Sequence, residues 1–331
     1  MTMGSFAIYP YRSKAPILNW ASKDGEFRRQ VSSFRDHIAS DPAAKFTPDA
    51  NRYHLYISRA CPWAARVHMV RALKGLESVI GLTVVDWNMG KDGWKFSPEV
   101  AGCDADTVNN ATFLKEIYFK AEPTYSGRFT VPVLWDKKLN TIVNNESSEI
   151  IRMLNSNFDA YSSKPGVTYY PAELAKQIDE INEWIYSDIN NGVYKSGFAT
   201  SQQAYASAAS KLFESLDRVE KILAKSQWLV GNQFTEADIR LFTTIVRFDP
   251  VYHTHFKANL RSITHDYPNI LRWARQIYQT FPEIPQTVNM EHIKGHYYVS
   301  HIQINPFQIV PLNNGPDLTV PYNETVGASK L

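Results

Sequence analysis

The chain has 331 residues, with 35 Lys and Arg against 33 Asp and Glu and a formal charge of +2. That near balance, with no dense basic run, argues against a general polyanion or nucleic-acid binder. No apolar stretch approaches the ~18 residues of a membrane span, the first twenty residues lack the apolar core of a signal peptide, and two cysteines make no disulfide framework, so a reducing compartment is expected. The length suggests about two domains. A hydrophobic share of 44% and a charged share of 21% suit a globular protein, and the 13% aromatic share points to aromatic-lined pockets or a large core.

Residues 1–50 read as an extension. Helical spacing through Phe27, Val31 and Phe34 predicts a helix within residues 20–40, with Ser22 or Asp24 as its cap and Asp41-Pro42 as its stop. Residues 51–87 read as a β-α-β unit. Tyr53 to Ser58 is aromatic and β-branched, which suits a strand. Ile80 to Val85 is a near-continuous apolar run, as expected of a strand buried on both faces. Between them, Pro62 suits the first turn of a helix that closes at Lys74-Gly75. Cys61 therefore sits at a helix N-terminus, where free amides and the helix dipole favour an anion. A thiol titrating at about 8.5 can fall there to roughly 3.5–7.5, so Cys61 is a candidate thiolate. The alternative is a buried structural cysteine. Ala64 stands where a thioredoxin motif carries its second cysteine, so any redox chemistry is monothiol.

Asp86 to Tyr125 is polar and irregular, with a short helix expected near Phe113 to Phe119; Trp94 in it reads, by itself, as local packing. Arg128 to Val143 reads as a β-hairpin with strands at Thr130–Trp135 and Thr141–Val143. Pro132 inside the first strand needs an edge, a bulge or a cis bond. Glu146-Ser147 opens the next helix, where free amides, a hydroxyl and a carboxylate can hold a zwitterion; ordinary capping explains the same residues. Residues 156–172 are a linker by composition. From Glu173 to about Tyr278 the pattern is helical, with stripes at Leu174, Ile178, Ile181, Ile185 and at Leu212, Leu216, Val219, Ile222, Leu223. Asn190-Asn191-Gly192 interrupts the first. Thr235 to Asp238 is a capping box with a Phe234–Ile239 staple, so Asp238 reads as structural. Residues 281–331 are rich in Pro and Asn, with few helix signals. His253 and His255 lack metal spacing, and no metal is expected. The chain ends in Ser329-Lys330-Leu331, a receptor-read peroxisomal address.

Cys-Pro at a helix start, Val131-Pro132 before a strand, Glu146-Ser147 at the next helix start and a helical domain with a Thr-x-x-Asp box together resemble a cysteine-type glutathione transferase. Longer strings sharpen this: Cys61-Pro62-Trp63-Ala64, Phe129 to Asp136, Ile142 to Ser147, Asn191 to Lys195, Arg247 to Tyr252, and His296-Tyr297 with Ser300-His301. They resemble the omega-like Xi class, the S-glutathionyl-hydroquinone reductases, over residues 20–316. The resemblance implies an α/β thioredoxin-like glutathione-binding domain at 51–155, an all-α domain at 173–280, and extensions at 1–50 and 281–331. It implies glutathione as co-substrate, contacted by Trp94, Arg128, the Val131 backbone, Pro132, Glu146 and Ser147, and Tyr194 and Tyr297 beside the hydroquinone. A homodimer in the cytoplasm or peroxisome, through an import receptor, is expected. Two departures stand out. Ala65 replaces the usual His, and the segment from Asp86 to Tyr125 is shorter than the class suggests.

The expected chemistry is attack by Cys61 on the glutathione sulfur of a glutathionyl-hydroquinone, with Tyr194 and Tyr297 as acids. A second glutathione then supplies the missing resolving thiol. A broader thioltransferase or dehydroascorbate reductase would use Cys61 without the tyrosines. A non-catalytic binding module would leave Cys61 protonated and inert.

Overall fold

The computed structural model describes residue 22 and residues 24–322; Trp20 and the C-terminal Ser329-Lys330-Leu331 lie outside them. A four-stranded sheet has the order β2-β1-β3-β4, with β1 (Tyr53–Ile57), β2 (Gly81–Val84), β3 (Val133–Asp136) and β4 (Thr141–Asn144). β1 pairs parallel with β2, and β3 pairs antiparallel with β1 and β4. All five residues of β1 are buried, as a central strand covered on both faces requires. α1 (Pro62–Leu73) follows β1, with Cys61 as its extended N-cap residue and Gly75 at φ +59° ending it. Every residue of α1 but Trp63 is buried. It packs against α3 on one side and α7 on the other, which explains its mixed sequence face. Each fully buried Val or Leu here contributes about 1.5–3 kcal/mol relative to exposure.

α2 (Leu114–Ala121) is the short helix expected in the irregular segment, and α3 (Ser147–Ser156) begins at Glu146 as predicted. The helical layer contains α4 (Ala175–Ile185), α5 (Gly192–Gly197), α6 (Gln202–Leu223), α7 (Glu236–Ile245), α8 (His253–His255), α9 (Ile263–Asp266), α10 (Pro268–Thr280) and α11 (Met290–Ser300). The Asn190-Asn191-Gly192 interruption is a π turn over Tyr186–Asn190 that re-aims the chain into α5. The capping box is present: Asp238 accepts from the amides of Thr235 at 2.9 Å and Leu229 at 3.0 Å, and from Trp273 Nε1 at 2.8 Å.

Three expectations are corrected. Residues 24–37 form no helix but an extended strap. Its backbone is held to the rest of the fold by tertiary hydrogen bonds: Asp36 N donates to Val143 O at 3.1 Å, and Phe34 N to Asn145 Oδ1 at 3.1 Å. Val31, in the expected stripe, is 75% exposed. The first hairpin strand begins at Val133 rather than Thr130, because Pro132 has no amide hydrogen to give to a ladder; the Val131–Pro132 peptide is cis. Within 281–331, where few helix signals stand, Met290–Ser300 is helical. Its Gly295 lies so close to Trp87 that a Cβ there would meet the indole at 2.7 Å.

Candidate active site

A cavity of about 610 Å³ opens between the sheet's helix-bearing end and the helical layer. All nine residues singled out from the sequence line it: Cys61, Trp94, Arg128, Val131, Pro132, Glu146, Ser147, Tyr194 and Tyr297. Two loop-to-helix junctions and one loop-to-strand turn account for most of them. The β1–α1 turn presents the half-buried Cys61, whose Sγ lies 3.6 Å from Val131 O on the turn before β3. Tyr118 of α2 fixes that second turn: its hydroxyl donates to Thr130 O at 2.7 Å and accepts from Asn145 Nδ2 at 3.1 Å. The second loop-to-helix junction opens α3. There Glu146 Oε1 accepts from Ser148 N at 3.1 Å and Oε2 from Ser32 Oγ at 2.9 Å. Ser147 Oγ is buried without a hydrogen-bond partner, a hydroxyl left available where helix amides converge.

The helical layer supplies the opposite wall. Tyr194 on α5 and Tyr297 on α11 share a hydrogen bond of 2.6 Å between hydroxyls, and Tyr252 extends the chain with 3.0 Å to Tyr297. Burial, then the Cys61 charge, pushes the Tyr194 hydroxyl up. Burial does the same more strongly for Tyr297 and Tyr252, so all three are protonated donors at neutral pH. Trp94 is buried and stacks on His296 at 4.8 Å, and it also lines the cavity.

The thiol departs from expectation. Burial pushes it up, although the amides of Ala64 and Trp63 and the charges of Arg247 and Arg29 all pull it down. The helix-end effect is present, but desolvation of the sulfur outweighs it. Ala65 is itself buried in α1, so no titratable side chain stands at that position.

Sequence reasoning missed the strap. Phe27, Arg29 and Ser32 line the cavity, and the Arg29 guanidinium lies over Trp63 at 4.6 Å and Tyr194 at 4.8 Å while Nε donates to Asn191 Oδ1 at 2.7 Å. Nothing in its local pattern marks such a role. His301 also lines the cavity, 3.2 Å from His255 Nε2, and burial holds it well below the usual histidine range. Among the described residues no group of three His, Cys, Asp or Glu is placed to hold a metal ion, and no helix is long and apolar enough to cross a membrane.

The glutathione S-transferase N-terminal domain model matches residues 60–157, and the C-terminal domain model matches residues 202–276. The crystal structure of glutathione-S-transferase Xi from Phanerochaete chrysosporium is 54% identical, with TM-score 0.86 over 88% of this chain and 94% of that one. The chain belongs to the glutathione transferase family, in its Xi class. Within this family it is 51% identical to the glutathionyl-hydroquinone reductase YqjG of Escherichia coli, over 92% of this chain and 94% of that protein. The glutathione-bound structure of YqjG matches with TM-score 0.84 at 52% identity, over 88% of this chain and 96% of that one. The architecture is thus a glutathione transferase fold, a thioredoxin-like unit followed by a helical layer.

Proposed function

We propose that this transferase reduces S-glutathionyl-hydroquinones to hydroquinones, using Cys61 as a monothiol nucleophile and glutathione as reductant. The observation that carries the reading is the pairing of one cysteine at a helix start with two hydrogen-bonded tyrosine hydroxyls across a single cavity. A thiol-exchange site needs only the cysteine. Donors facing it are what release of an aryl carbon requires. The relationship to YqjG supports the same substrate class.

In the first step Cys61 thiolate attacks the glutathione sulfur. The sulfur–aryl bond breaks, a Cys61–glutathione disulfide forms, and the ring carbon takes a proton. Tyr194 and Tyr297 donate to the ring oxygens and pass on that proton, which is general acid catalysis. In the second step the thiolate of another glutathione attacks the mixed disulfide, releasing oxidised glutathione and the Cys61 thiolate. One proton is consumed and one released, so the cycle balances. The free α-amino and carboxylate groups of the tripeptide suit Glu146 and Ser147 at the start of α3, with Arg128 and Trp94 at its flanks and the Val131 backbone beside the cysteinyl portion.

Single-turnover mass spectrometry with a glutathionyl-hydroquinone tests this. The wild type is expected to gain one glutathione on Cys61 and release hydroquinone, and Cys61→Ser to do neither. A wild type with neither adduct nor hydroquinone refutes the mechanism. An adduct formed only from mixed disulfides favours a thioltransferase. We also propose a homodimer, checked by light scattering. Peroxisomal import through Ser329-Lys330-Leu331 is checked by comparing fluorescent fusions with and without those residues.

A further inference from the structure

Arg247 follows α7 and is 1% exposed. A guanidinium buried this deeply is ordinarily matched by a carboxylate, because an unmatched buried charge is costly. Among the described residues Arg247 forms no ion pair. Its three hydrogen bonds all go to backbone carbonyls: Nε to Ala60 O at 2.9 Å, Nη2 to Arg59 O at 3.0 Å and Nη1 to Thr243 O at 2.6 Å. Arg59 and Ala60 are the two residues before Cys61. The helical layer thus grips the nucleophile's turn, across the boundary with the sheet, by a cation whose charge no acid neutralises. Five residues on, the same segment delivers Tyr252, whose hydroxyl touches Tyr297.

Other groups face the sulfur or the guanidinium from neighbouring elements. Arg29 comes from the strap and Arg128 from the turn before β3. Glu146 opens α3 and is engaged by Ser148 and Ser32. Tyr194, Tyr252 and Tyr297 are neutral hydroxyls, and His296 is held neutral by burial, with its pKa at about 4. Arg66 and Arg71 are also buried without a carboxylate among the described residues, but away from the Cys61 turn: Arg66 sits 4.5 Å from the Trp63 ring and bonds Asn190 and the Arg240 carbonyl, and Arg71 donates to Ile80 O and Glu77 O. Of these cations only Arg247 holds the turn itself.

We propose that Arg247 is the positioning residue for Cys61, fixing the turn that presents the sulfur and supplying the positive charge against which the thiolate forms. The proposal rests on Cys61 being the nucleophile. An opposite charge nearby lowers a titrating group by about 1–3 units. Arg247 stands first among the charged groups that pull the Cys61 thiol down, ahead of Arg29. Its charge also pulls on the hydroxyls of Tyr252 and Tyr297, the chain that serves the other half of the reaction.

The test is the pH dependence of Cys61 alkylation by iodoacetamide, followed by mass spectrometry, in the wild type, R247M and R247K, with kcat and KM measured alongside. R247M is expected to move the alkylation midpoint up by about one unit or more, to slow alkylation at neutral pH about tenfold, and to lower kcat with little change in KM for glutathione. R247K keeps the charge but not the three-carbonyl fork. It is expected to hold the midpoint near the wild type while losing kcat. A folded R247M with an unmoved midpoint overturns the proposal. Where R247M does not fold, R247K decides: wild-type kcat and KM overturn it, and a loss of kcat at wild-type KM supports it. A wild type whose Cys61 alkylates but which releases no hydroquinone refutes the reductase reading instead, and leaves the midpoint shift readable by itself.

Discussion

Tyr297→Phe separates aryl release from simple thiol exchange. The hydroxyl it removes is buried and bridges Tyr194 at 2.6 Å and Tyr252 at 3.0 Å. Two hydrogen bonds of ~1 kcal/mol each are lost, and the Tyr252 hydroxyl stays buried with fewer partners, so the fold should lose about 2–3 kcal/mol. General acids contribute about 10²–10⁴ in rate. With Tyr194 still in place, kcat for a glutathionyl-hydroquinone should fall about 10²-fold, and further in the double variant with Tyr194→Phe. The comparison assay is glutathione-dependent reduction of a small mixed disulfide, whose thiolate leaving group needs no carbon protonation. That rate should stay within about twofold of the wild type. Equal losses in both assays would make the tyrosines a scaffold, and no loss in either would end the acid assignment. The pH profile gives an independent reading. Because burial raises the thiol, kcat/KM in the wild type should climb with pH above neutrality, while the raised tyrosine hydroxyls stay protonated over the same span.

Ser147→Ala removes a hydroxyl that has no partner within the protein, so stability should stay within about 0.5 kcal/mol. The KM for glutathione should rise roughly 10–100-fold, as for a lost hydrogen bond to a charged group, measured by initial rates. Burial pushes the Asp238 carboxyl up to about 6. The fold therefore binds that proton more tightly than the unfolded chain, where the group titrates near ~4. Its contribution is whole below about pH 4 and falls by up to about 3 kcal/mol as pH rises through about 6. Urea unfolding at pH 4, 5, 6 and 7 should show that decline in the wild type and a flatter curve in Asp238→Asn. Parallel curves would mean that the four donors around the carboxyl hold it ionised throughout.

Local signals made half of this site legible. Cys61 before Pro62, the Pro132 anomaly before a strand and Glu146-Ser147 opening a helix each carry backbone chemistry that the residues themselves dictate. The other half is tertiary. α11 holds Gly295, two histidines and two tyrosines, a weak helix former by composition. It is helical because Gly295 lets its backbone press against Trp87 and because His296 Nδ1 meets Trp87 O at 2.9 Å. The strap resembled a helix because Phe27, Val31 and Phe34 share a spacing. In the fold each meets a different surroundings: Phe27 is near Tyr194, Val31 is exposed, and Phe34 lies against Tyr118. A local pattern cannot report contacts made with residues 84 and 167 positions away.

That strap has a bearing on how relatives diverge. Gln30 and Val31 face solvent at the mouth of the cavity, ahead of the point where Arg35 bridges Asn144 at the edge of β4. Exchanges at these two exposed positions leave the buried core untouched, while the cysteine turn stays fixed by Arg247 on the far side. Acceptor range in this lineage is then free to evolve by a handful of exchanges in one surface segment. A variant carrying a relative's residues at Gln30 and Val31 alone should inherit that relative's aromatic preference while keeping this chain's handling of glutathione, because Ser32 still holds Glu146.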